Sequence, residues 1–169
     1  MQYQKFIYKN GGTKIIQVDG RQVTVHQIQN LTGTMVGGWI ENSYNLSQYD
    51  ASWIYEPAIV IGQAYVSLNA IVSGNALVKD SAKVSGNSLV TGNSIVGGNA
   101  QVLGNSRISG NAHISDDSIV QDYAQVTNNA QIRANGTIKD RAQAIDNAIV
   151  QGNAVVGGTT VVSGNEIIN

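Results

Sequence analysis

From Ala51 to Asn169 the chain repeats every six residues without an insertion, and no other feature constrains its fold as strongly. In blocks of six counted from Ala51, the fourth place runs Ile54, Val60, Val66, Val72 and so on to Ile168. Nineteen of its twenty occupants are valine or isoleucine, and Ala144 is the exception. The second place is small from Ser52 through Ala154, and only Thr160 and Glu166 depart from this. Places two and four lie two residues apart, so both point to one side of a short strand. The β-branched residue fills an interior, and the small one lets the chain turn beside it. Places six and one form the corner, often as Gly-Asn at Gly74-Asn75 and Gly86-Asn87. Asp80, Asp116, Asp122 and Asn128 replace glycine at some corners, because aspartate and asparagine tolerate left-handed backbone angles. A helix of period 3.6 cannot hold this pattern. Three blocks close a triangular turn, so eighteen residues make a coil. Twenty blocks then predict an all-β parallel β-helix of six to seven coils, a prism roughly 30 Å long at ~4.8 Å per coil.

Residues 1–50 break the period and form a separate region ahead of the repeat at 51–169. Strand-like runs at 4–8, 13–18 and 22–29 are separated by Asn10-Gly11-Gly12 and Asp19-Gly20, which both read as hairpin turns. A small N-terminal β-hairpin cap is therefore expected. Trp39, Trp53, Tyr49, Tyr55 and Tyr65 gather where the two regions meet, and are expected to seal the first coil.

The GNA-x-V array resembles the left-handed β-helix of hexapeptide-repeat proteins. The left hand is implied by that resemblance alone, since the usual crossover preference runs the other way. The segment Gly37-Gly38-Trp39-Ile40-Glu41, followed by Asn45-Leu46-Ser47 and then the array, is similar to the YdcK-like family of bacterial and phage repeat proteins. That resemblance implies architecture and a phage or prophage origin, and it supplies no catalytic residue.

The eighteen-residue spacing sorts the outward third-place residues into three ladders. The first reads Trp53, Ile71, Leu89, Arg107, Gln125, Gln143, Val161. The second reads Ile59, Leu77, Ile95, His113, Gln131, Ile149, Ile167. The third reads Tyr65, Lys83, Gln101, Ile119, Thr137, Val155. The first two are apolar over three coils, and contiguous apolar surface needs cover. The hairpin folding back is one cover. A neighbouring subunit is the other, and relatives of this fold form trimers. A homo-oligomer, dimer or trimer, is expected, with Trp53, Ile71, Leu89, Ile59, Leu77, Ile95 and Ile149 at an oligomer or partner interface. The last coil carries no helix to cover it, so Ile167 and Ile168 are expected to dock on a second copy or a partner.

Acyltransferases on the resembled fold use an outward histidine beside an extruded loop. His113 faces outward and could act as a general base for an acyl-CoA reaction, but no loop leaves the repeat to wall a pocket. His26 lies in the N-terminal region and is the weaker candidate. Asp122 and Asp140 stack at one corner beside Arg141, which reads as corner chemistry more than as a cation site. No cofactor or metal is expected.

Lys and Arg number 10 against 11 Asp and Glu, and the basic residues are scattered over three faces. Direct nucleic-acid contact is therefore not expected. There is no cysteine, and neither a signal-like apolar core nor an apolar stretch long enough for a bilayer. A cytoplasmic protein without membrane contact is expected. These features together point to a non-enzymatic interaction protein that offers rigid flat faces to a protein partner. An inhibitor of a host defence system, such as an anti-CRISPR, is one version, and an assembly or structural element is another.

Overall fold

The computed structural model describes residues 4–169. Three N-terminal strands, β1 (Phe6–Val18), β2 (Arg21–Asn30) and β3 (Val36–Ile40), are followed by one turn of 3-10 helix at Ser43–Asn45. Two-residue strands then recur every six residues, from Trp53–Ile54 to Ile167–Ile168. They stack in parallel into a β-helix of about seven coils. Its three sheets contain ten, seven and six strands, and the ten-stranded one includes β1 to β3.

Register follows the eighteen-residue spacing. Leu89 pairs with Ile71 and Arg107, Ile95 with Leu77 and His113, and Gln101 with Lys83 and Ile119. Each of the three ladders is thus the outer row of one sheet. The interior is a column of fourth-place side chains, and those from Ile54 to Val150 have no exposed surface. Small second-place residues pack beside them, with Ser94, Ser106 and Ser118 returning their hydroxyls to the backbone carbonyl three residues earlier.

The corners divide their work between two residues. Place six takes the left-handed conformation, at Gly74 (φ 65°), Gly104 (φ 69°), Asp80 (φ 60°) and Asp116 (φ 59°) among others. A side chain at Gly104 would also strike the backbone of Asp122 in the next coil, with a Cβ only 2.7 Å from its nitrogen. Place one carries amide ladders. Asn75, Asn93, Asn111, Asn129 and Asn147 each donate to the next at 2.9–3.1 Å, and the row ends on Asn165. The asparagine of a Gly-Asn corner therefore serves as a stacking group between coils.

The N-terminal strands differ from the sequence expectation at one point. Asn10-Gly11-Gly12 forms no turn. It is an enlarged bulge inside a continuous β1, where four residues of β1 stand opposite Gln27 of β2. Gly12 is needed there because a Cβ would sit 2.8 Å from that of Gln27. The turn between β1 and β2 is Asp19-Gly20, with φ of 50° and 79°, the geometry that matches strand twist.

The sheets also reach further towards the N-terminus than the six-residue period does. Trp39 pairs with Ile59, Ile40 with Val60, and Leu46 with Val66, so residues 36–46 form an irregular coil ahead of Ala51. Their spacing is twenty, which a search at six or eighteen does not detect.

Candidate functional site

The hairpin decides which ladder residues remain open. At one end, Phe6 and Ile28 join Ile40 and Leu46 in the core cluster and close the prism. On β2, Ile28 lies an odd number of residues from Val23 and Val25, so strand alternation turns it to the opposite face. At the other end, Val23 and Val25 pack on Ile61, with Ile16, Val18, Trp39, Ile59 and Leu77 around them. The turn residue Asp19 receives a salt bridge from Lys79. The hairpin thereby covers Ile59 and Leu77. Trp53 is 7% exposed and belongs to the core cluster.

Ile71, Leu89 and Ile95 remain at the surface outside the hairpin's apolar cluster, with Ile71 exposed and the other two half-buried. Ile71 and Leu89 are paired neighbours in one sheet, while Ile95 follows Leu77 in another. Ile149 and Ile167 pair at the far end, where Ile167 is exposed and Ile168 packs against the core.

The aromatic cluster splits in two. Trp39 is half-buried beneath the hairpin, with the Lys14 ammonium 4.0 Å from the ring centroid. Tyr49, Tyr55 and Tyr65 do not seal the coil, since all three are exposed. Phe6 and Ile28 do that work instead. Phe6 lies ahead of the β1 bulge, which resets the inside-outside alternation of that strand, and no six-residue period marks either residue.

Tyr44, Tyr49 and Tyr65 border an open cleft of about 520 Å³ beside the first coils, whose base includes Leu46. The segment around it is tied to the prism. Asn45 donates to the carbonyls of Gly62 and Ala64, and Tyr44 Oη donates to Gly62 O at 3.1 Å. Asp50 anchors the far side. Its carboxylate accepts from Leu68 N–H at 2.6 Å, from Ser52 N–H at 3.1 Å and from Lys5 Nζ at 3.3 Å. Burial alone would raise its pKa, but hydrogen bonds from Ser52, Ser47 and the Leu68 backbone prevail and hold it at about 2. Burial lowers the Lys5 pKa, with the Asp50 charge opposing.

His113 lies exposed between Ile95 and Gln131, and no side chain among the described residues hydrogen-bonds its ring. His26 stacks on Tyr8 at 4.8 Å and approaches Thr13 Oγ1 through Nδ1. The two histidines are on different elements and share no site. Asp122 accepts the backbone N–H of Asp140, and Asp140 accepts that of Gly158. These carboxylates therefore stitch successive corners together, and Arg141 turns to the Tyr123 ring. No group of three or more potential metal ligands occurs among the described residues. Among the described residues no helix is long and apolar enough to cross a membrane.

Sheet topology, strand register and repeat length define a parallel β-helix repeat protein. No family model matches the chain, and no curated protein matches it. These comparisons do not support the YdcK-like resemblance.

Proposed function

We propose that this is a non-enzymatic interaction protein that presents a rigid β-prism to a macromolecular partner. The observation that carries this reading is the continuity of the coil. From Trp53 to Ile168 every connection between strands is four residues long, so no loop rises to wall a catalytic pocket. Function on such a scaffold has to reside in its surface rows. Ile71, Leu89 and Ile95 are the apolar rows left outside the hairpin's cluster, and they are the partner or subunit face in this reading, with Ile149 and Ile167 as a second contact. A left-handed coil, membership among YdcK-like repeat proteins, a phage or prophage origin and a cytoplasmic location belong to the same proposal. So do a homo-oligomer and the two biological versions, a host-defence inhibitor and an assembly element.

Light scattering on the purified chain, combined with recovery of a partner by Ile71→Lys and wild-type baits, tests the face. The wild type should be larger than one chain or retain a partner, and the lysine variant should lose that association. A monomeric wild type whose partner binds the variant equally well refutes the assignment. Calorimetry with acetyl-CoA tests the competing acyltransferase reading. Saturable binding lost in His113→Ala would overturn the non-enzymatic proposal.

A further inference from the structure

We infer that the cleft bordered by Tyr44, Tyr49 and Tyr65 binds an uncharged saccharide. Three tyrosines at this opening are exposed in a way that folding does not require. Tyr44 is 45% exposed, Tyr49 71% and Tyr65 39%, although Phe6, Ile28, Ile40 and Leu46 already close the coil. Three large aromatic side chains around one opening leave apolar ring surface in water, where burial is the favourable state.

A second outlier lies beside them. Leu68 adopts φ 64°, the corner conformation occupied by glycine, aspartate, asparagine or alanine at the other corners of the repeat, and it is 55% exposed. A bulky residue in that conformation is strained, and its side chain gains little burial in return. Asp50, which follows Tyr49, fixes this corner by accepting the Leu68 N–H. Strain held at an exposed position beside a cleft marks a surface shaped for something other than folding.

The chemistry of the cleft selects the ligand. Its volume of about 520 Å³ suits a small molecule or a few sugar rings. Among the described residues its lining includes phenols, the Ser43 hydroxyl and the Gln4 amide, and no carboxylate, amine, guanidinium or imidazole. The nearby charges, Lys5 and Asp50, pair with each other and with Ser52 and Leu68. An anionic or cationic ligand would thus find no free counter-charge among the described lining residues. A pyranose meets these terms, because its C–H faces stack on aromatic rings while its hydroxyls exchange hydrogen bonds with phenols, amides and serine. The binding groups are also pre-positioned. Tyr44 and its neighbour Asn45 are tied to the Gly62 and Ala64 carbonyls, and Ser47 N–H bonds Val66 O, so little ordering is needed on binding.

The test uses the full chain, ligand-detected NMR and calorimetry, with maltotriose, cellotriose and chitotriose as probes and the tripeptide Leu-Leu-Leu, blocked at both ends, as the apolar comparison. At least one trisaccharide should bind saturably. Tyr49→Ala and Tyr65→Ala should each weaken it at least tenfold with thermal stability retained, while Tyr123→Ala, at an exposed site elsewhere on the prism, leaves it unchanged. Tyr49→Phe should bind within a few-fold of wild type if ring stacking dominates, which keeps the test informative should an alanine variant misfold. Absence of binding by all three sugars overturns the inference. So does tighter binding of the peptide than of any sugar, or sugar binding unaffected by both tyrosine variants.

Discussion

Replacing Ala144 by valine tests whether the interior is filled by each residue separately or by each coil as a unit. Ala144 is the one fourth-place residue without a β-branch, and it has no exposed surface. The two fourth-place residues before it, Ile132 and Ile138, line the other two sheets of the same turn and are also fully buried. Two isoleucines and an alanine carry the same number of side-chain carbons as the three valines at Val72, Val78 and Val84. If the extra isoleucine methyls occupy the space next to Ala144, Ala144→Val overpacks the coil and costs about 1–3 kcal/mol. If that space is empty, the two added carbons gain up to about 1.6 kcal/mol at ~0.8 kcal/mol per buried methylene. The two pictures differ in sign. For a chain of this size each kcal/mol moves Tm by roughly 2–4 °C. Calorimetric melting should show Ala144→Val lowered by several degrees. The triple variant Ile132→Val, Ile138→Val, Ala144→Val, which restores three valines, should recover most of the loss. A higher Tm for the single variant would refute the compensation argument.

Three further outcomes follow from corners and charges. Asn111→Ala removes one ladder bond on each side, both at 3.0 Å, and should cost about 1–2 kcal/mol in chemical denaturation, given ~0.5–1.5 kcal/mol per net hydrogen bond and its exposed position. Ala134 adopts φ 55° at a corner, so Ala134→Gly should raise stability by about 0.5–1 kcal/mol, measurable as a higher Tm, because relief of left-handed strain exceeds the added chain entropy. The Asp50 pKa lies near 2 in the folded protein, below the unfolded carboxylate value of about 3.9. Its contribution is therefore fully present above about pH 4 and is lost as pH falls towards 2. Circular dichroism during acid titration should show that decline, and Asp50→Asn should flatten it.

Much of the prism is legible in the repeat itself. The six-residue period specifies parallel pairing and the composition of each outer row, from Leu89 beside Ile71 to His113 beside Ile95. Every short strand obeys one local rule, since each coil meets copies of itself above and below. The left-handed corners at Asp80, Asp116, Asp122 and Asn128 are equally local, because a short polar side chain tolerates that backbone angle wherever it occurs. The asparagine ladder is implicit in the same period, but its amide bonds emerge only when coils stack at a fixed separation.

The N-terminal region obeys no such rule, and there tertiary structure decides. Asn10-Gly11-Gly12 has the composition of a turn yet forms a bulge, since β1 must continue beside β2 and Gly12 must admit Gln27. Tyr49 and Tyr65 have the composition of a cap, yet Phe6 and Ile28 reach the open coil first. Which residues cover a surface depends on where the chain bends, and two register shifts set the bends here. The repeat by itself determined the prism and its rows. The fold of the first fifty residues determined which rows are covered and left a tyrosine-lined cleft open, because contacts between unlike segments carry no period.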